Sequence, residues 1–173
     1  MLAMVLGGAR AQFSTALLGA GGLTCALCSK AINNALERLP FVQSVEPDIR
    51  NSAFKIQFKA GRPVVIDAIK KAVEDAGFSV ATLKIKGRFD RLQVKNDQHV
   101  DINGETFHFL KVSDQVVSGE KEIRIVDKAF LSSKEFKQYS AATAMRCVQT
   151  GRAESCCSKA GLTQGKRIYH VTM

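Results

Sequence analysis

Gly22-Leu23-Thr24-Cys25-Ala26-Leu27-Cys28 stands where an apolar, strand-forming run gives way to a helical pattern, so two thiols fall on one strand-to-helix loop. The first cysteine belongs to the loop and the second to the first helical turn, where a helix N-terminus favours the thiolate that binds metal. Two soft sulfur donors with no histidine or carboxylate between them select thiophilic ions, Cu(I) first and Zn(II) and Hg(II) behind it, and exclude Mg and Ca.

The flanking residues set the fold around this loop. Upstream, residues 13–18 read as an opening strand that runs into a glycine-rich bend at Gly19, Gly21 and Gly22. Downstream, Cys28, Ile32, Ala35, Leu36 and Leu39 recur at helical spacing with polar residues between them, and Pro40 ends that amphipathic helix. Residues 41–49 read as a second strand, and Phe54, Ile56 and Phe58 alternate with polar residues in a third. Pro63 is placed to open a second helix, whose stripe includes Ile66, Ile69, Val73 and Ala76 before Gly77 stops it; residues 78–85 return as a fourth strand. The order β-α-β-β-α-β predicts an α+β, ferredoxin-like domain over residues 12–85: a four-stranded antiparallel sheet, both helices on one face, the thiol loop at one end.

These residues resemble a known family. Gly-Leu-Thr-Cys-Ala-Leu-Cys at 22–28, Val42-Gln43-Ser44-Val45, and Ala68-Ile69 through Ala76-Gly77-Phe78 are similar to the heavy-metal-associated domain of copper chaperones, copper-pumping ATPases and periplasmic mercury-binding proteins, over roughly residues 13–85. The resemblance implies Cys25 and Cys28 as metal ligands, with Leu23, Thr24 and Phe78 supporting the loop. Leu23 stands where the family has a methionine packed beneath it, a swap close in volume. Phe78 takes the aromatic position facing the metal. It further implies a binding protein, not an enzyme, that exchanges its ion with a metal donor or acceptor such as a metal-transporting ATPase.

The strongest rival for the thiol pair is a thioredoxin-like redox dithiol, which uses the same spacing. That reading lacks support in a chain without tryptophan and with Ala26-Leu27, not proline, between the cysteines. A structural zinc site wants four protein ligands, and only two are local. In an oxidising compartment the pair could close into a disulfide.

Beyond Lys86-Gly87 the pattern changes to short strands at 91–94, 99–102, 106–112, 122–126 and 168–172, with one short helix within 127–143. Asn103-Gly104 is a strong hairpin signal. Residues 86–173 therefore predict a second, β-rich domain, either a small OB-like barrel or a plain β-rich α+β unit. Cys147, Cys156 and Cys157 form a second cysteine group, read as a disulfide or inert thiols ahead of a second soft-metal site helped by Met145. Among His99, His108 and His170, the hairpin could bring His99 near His108, although isolated strand histidines are more often packed or surface residues.

A formal charge of +9 is spread over both halves without like-charge runs or interleaved stacking aromatics, so it reads as solvated surface and no nucleic-acid partner is expected. An odd total of five cysteines suits metal binding better than a closed disulfide framework. No apolar run approaches the ~18 residues needed to span a bilayer, so no integral membrane segment is expected. Residues 1–11, apolar and ending Ala9-Arg10-Ala11, resemble a truncated signal peptide without a basic start. A periplasmic or secreted location is the first expectation, a cytoplasmic one the alternative.

Overall fold

The computed structural model describes residues 10–23 and 26–173; the apolar residues 1–9 of the expected signal segment, together with Thr24 and Cys25, lie outside the described residues. The first half runs β1 (Ala11–Gly21), α1 (Ala26–Glu37), β2 (Val42–Asp48), β3 (Ala53–Phe58), α2 (Ile66–Asp75) and β4 (Ser79–Val94). The second half adds β5 (Gln98–Ile102), β6 (Glu105–Phe109), β7 (Gln115–Ile125), α3 (Ser133–Ser140), α4 (Cys147–Thr150) and β8 (Ile168–Thr172). Short 3₁₀ turns occupy Lys128–Phe130 and Ser155–Ala160. No helix among the described residues is long and apolar enough to cross a membrane.

The order β2-β3-β1-β4 is that of a split βαβ unit, with α1 and α2 packed against each other and onto the sheet. Leu18, Phe54, Ile56 and Leu83 point from the strands to Ile32 and Leu36 of α1 and Ile69 and Val73 of α2, and all are buried. Alternation along β3 and the helical stripe of α2 produce this directly, because each buries one face and leaves lysines on the other.

Two expectations need correction. Gly19 and Gly21 do not end the strand; both lie within β1, whose register against β4 shifts between Gly19 and Ala20, and of the three glycines only Gly22 adopts a positive φ, +84°. Their smallness serves close approach to β4: a Cβ on Gly19 would sit 2.6 Å from Thr82 Cγ2, and one on Gly21 2.9 Å from Ser79 Oγ. The OB-like barrel is not formed either. β5 to β8 continue the same sheet in the order β2-β3-β1-β4-β7-β8-β6-β5, which stays open with β2 and β5 at its edges.

The physical reason is β4. It runs for 16 residues, straight through the expected boundary at 85/86, and Leu83 to Phe89 pair with β1 on one side and β7 on the other. Because the first part of β4 is held by β1 as well as β7, β5 to β8 join that sheet as an extension, and β5 ends as a free edge instead of pairing back to close a barrel. A register shift between Phe89 and Leu92, beside Arg91 at φ +46°, bends β4 just past the first residue of β1, Ala11, which pairs with Phe89. One apolar core spans the sheet: Phe13 of β1 meets Phe89 and Phe107 edge-on, at ring separations of 6.4 and 6.3 Å.

Candidate metal centre

Cys28 lies in the first turn of α1, half-buried and disulfide-bonded. Leu23 packs partly buried against the main core, directly before the loop. Phe78 packs against the same core, and its Cδ1 lies 3.9 Å from where a Cβ on Gly22 would be, so the ring borders the loop entry. Leu27, the residue before Cys28, is 78% exposed. A helix start at the end of a rigid sheet thus presents Cys28 beside apolar surface, and reduction has to precede any use of its sulfur as a ligand.

A second cluster arises from strand register. A two-residue turn at Asn103-Gly104, both at positive φ, sets His99 of β5 opposite His108 of β6. Parallel pairing of β6 with β8 then sets His170 beside His108. Three imidazoles form a row across three neighbouring strands, His99 and His108 stacked at 4.4 Å and His108 and His170 edge-on at 5.1 Å. His108 and His170 are fully buried, and His99 is half-buried.

The later cysteines cover this row. Cys147, at the start of α4, places its Sγ 3.7 Å from His99 Nε2 and 3.9 Å from His108 Nδ1. Cys157, in the 3₁₀ turn, lies 3.8 Å from His99 Nε2, with Cys156 Sγ 3.5 Å from Cys157 Sγ. All three cysteines are free thiols, so no disulfide closes on Cys147. Met145 packs at the margin of the apolar cluster around Cys147 and Cys157. Among the described residues, the donor atoms of His99, Cys147 and Cys157, and those of His108, Cys147 and His170, each lie within 4.8 Å of one another.

The cluster's electrostatics follow from burial. Burial and the facing His170 hold His99 below its ordinary pKa; the same two causes with His99 added bring His108 down to about 4. Burial pushes the Cys147 and Cys157 thiols up. Cys156 goes the other way: burial opposes ionisation, but backbone N–H groups around Cys147 and Arg146 favour the thiolate. His108 Nε2 bonds Asp97 Oδ1 at 2.9 Å, and His170 Nδ1 bonds the buried Asp127 Oδ1 at 2.6 Å. Burial works against the Asp127 carboxylate, yet His170 and the Arg167 guanidinium hold it below the usual range.

Each aspartate fixes one nitrogen of its imidazole and leaves the other with a lone pair directed elsewhere, toward Cys147 in the case of His108. His170 Nε2 is buried without a hydrogen-bond partner, which costs on the order of 1–3 kcal/mol. Sequence reasoning missed Asp97, Asp127 and Arg167. The only local signal was the hairpin arithmetic that opposes His99 to His108.

Comparison with known proteins bears on the first half. The heavy-metal-associated domain family matches residues 19–79. The copper chaperone CopZ of Staphylococcus aureus is 30% identical over 67 residues, 39% of this chain and 97% of that protein. A probable copper-transporting ATPase of Arabidopsis thaliana, HMA5, is 29% identical over 85 residues, 49% of this chain but only 8% of that much longer protein. Among solved structures, a CopZ metallochaperone is 28% identical, covering 39% of this chain and 100% of its own, with a TM-score of 0.37. The yeast copper transporter domain Ccc2a is 27% identical, covering 39% of this chain and 90% of its own, with a TM-score of 0.35. With a copper chaperone matched almost end to end, the chain belongs, over residues 19–79, to the heavy-metal-associated domain family.

Proposed function

We propose that this protein captures Cu(I) as cargo through the reduced thiols of Cys25 and Cys28 and passes it by ligand exchange to a partner carrying a similar two-thiol loop, such as a metal-transporting ATPase. The observation that carries this reading is the two-cysteine spacing at the start of α1 within a β-α-β-β-α-β unit that matches the family. Two thiolates without harder donors suit a low-coordinate d10 ion, and capture needs no substrate bond made or broken. The relatives named for copper support Cu(I) ahead of Hg(II) and Zn(II).

Transfer is the sharper test. Reduced protein loaded with one equivalent of Cu(I) is mixed anaerobically with the apo metal-binding module of a copper-transporting ATPase, and the metal content of each is measured after separation. Copper shared between the two, and lost from exchange in Cys25→Ser, Cys28→Ser, supports the reading. Copper that stays put, or moves equally from the double variant, contradicts it.

A second reading, thiol-disulfide exchange, has the disulfide at Cys28 in its favour. Its discriminator is the reduction potential of that bond, which a redox protein keeps near the poise of its thiol partners.

A further inference from the structure

The geometry points to a second metal site, independent of the thiol loop: a thiophilic d10 cation bound by Cys147, Cys157 and His99, with His108 and His170 as the inner imidazoles behind Cys147. Three observations carry it.

The first is spacing. Around a trigonal cation with metal–sulfur and metal–nitrogen bonds of about 2.3 and 2.05 Å, sulfur and nitrogen donors sit about 3.8 Å apart. The Sγ atoms of Cys147 and Cys157 lie 3.7 and 3.8 Å from His99 Nε2. These are long for hydrogen bonds to sulfur but suit two donors sharing one ion.

The second is orientation. Histidines that bind metals usually give their other ring nitrogen to a carboxylate, which fixes the ring and raises its basicity. Asp97 does this for His108 and Asp127 for His170, at 2.9 and 2.6 Å. The lone pair this leaves on His170 is the buried, unpartnered Nε2. Structural histidines in a core have both nitrogens satisfied, whereas His170 Nε2 has no partner among the described residues and His108 Nδ1 faces only the Cys147 sulfur, at 3.9 Å.

The third is access. His108, Cys147 and His170 are sealed, but His99 is half-buried and Cys156 stands partly exposed next to Cys157. The Cys156 sulfur, 3.5 Å from Cys157 Sγ at the partly exposed mouth, gives an incoming ion a first donor before it reaches the triad. Mixed thiolate and imidazole donors suit Cu(I) and Zn(II) alike and exclude Mg and Ca.

The test uses the full-length chain carrying Cys25→Ser and Cys28→Ser, so that any metal retained reports this cluster alone and the fate of the first proposal is read separately. The reduced protein is titrated anaerobically with Cu(I) against a chromogenic chelator, and separately with Zn(II) against a fluorescent indicator. One equivalent of either ion is expected, the ion retained more tightly naming the cargo. His99→Ala, which leaves the buried core intact, and Cys147→Ser should each weaken it at least about tenfold. Circular dichroism verifies that both variants are folded, and should Cys147→Ser not fold, His99→Ala decides alone. No bound equivalent of either ion, or binding unchanged in His99→Ala, overturns the proposal.

Discussion

Asp127 accepts a hydrogen bond from His170 Nδ1 at 2.6 Å while its other oxygen accepts one from Arg167 Nη2 at 2.7 Å, so one buried carboxylate ties the histidine row to the guanidinium that reaches the first half. Removing its charge takes from the mostly buried Arg167 the more deeply buried of its two carboxylate partners. Asp127→Asn is expected to destabilise the fold by about 3 kcal/mol. Urea denaturation monitored by circular dichroism measures this, and an unchanged midpoint would contradict it.

Arg167 also forms a two-pronged pair with Asp67 of α2, its Nε and Nη2 donating at 2.9 and 3.0 Å. The Asp67 side chain is 47% exposed, so solvent screens much of the attraction. A double-mutant cycle with Asp67→Asn and Arg167→Lys should give a coupling of about 1 kcal/mol. Additive effects would mean that this bridge between the halves contributes nothing measurable.

Burial of His108 makes the metal-free protein acid-sensitive. With His108 held down at about 4 when folded and near 6.5 when unfolded, the unfolded chain binds the extra proton between those values. Stability contributed by the neutral ring is complete above pH ~6.5 and is lost progressively as pH falls toward ~4. Asp127, also held low, adds a loss in the same direction at still lower pH. Melting temperatures of the metal-free protein at pH 7.5, 6 and 5 should fall in that order, whereas a flat series, or one rising toward acid, would contradict the burial of His108.

Ile85 is fully buried at the middle of β4, in the stretch paired with both β1 and β7. Ile85→Ala should cost about 3 kcal/mol and weaken both halves at once. Near-ultraviolet and far-ultraviolet circular dichroism should then report one coincident thermal transition at a lower temperature. Two separated transitions, with only one displaced, would show that the halves unfold independently.

The first half was legible because its signals are local. The stripe of Ile66, Ile69 and Val73, the alternation of Phe54, Ile56 and Phe58, and the stop at Gly77 each determine an element within one window of sequence. Gly19 and Gly21 misled for a nonlocal reason: glycine favours turns on its own, but here it makes room for Thr82 and Ser79 on a strand about sixty residues away. Barrel closure failed likewise, since nothing within residues 86–94 announces that β4 is one continuous strand shared by two neighbours. In the histidine row, His99 and His108 were within reach of hairpin arithmetic. His170 entered through a parallel pairing across 62 positions of chain, beyond any local pattern.

The most direct measurement of the central claim is an anaerobic titration of the reduced, full-length protein with Cu(I) against a chromogenic chelator, run beside Cys25→Ser, Cys28→Ser. The wild type should hold one equivalent of Cu(I) that the double variant does not. Equal stoichiometry and equal affinity in the two would contradict a copper-binding loop at the start of α1.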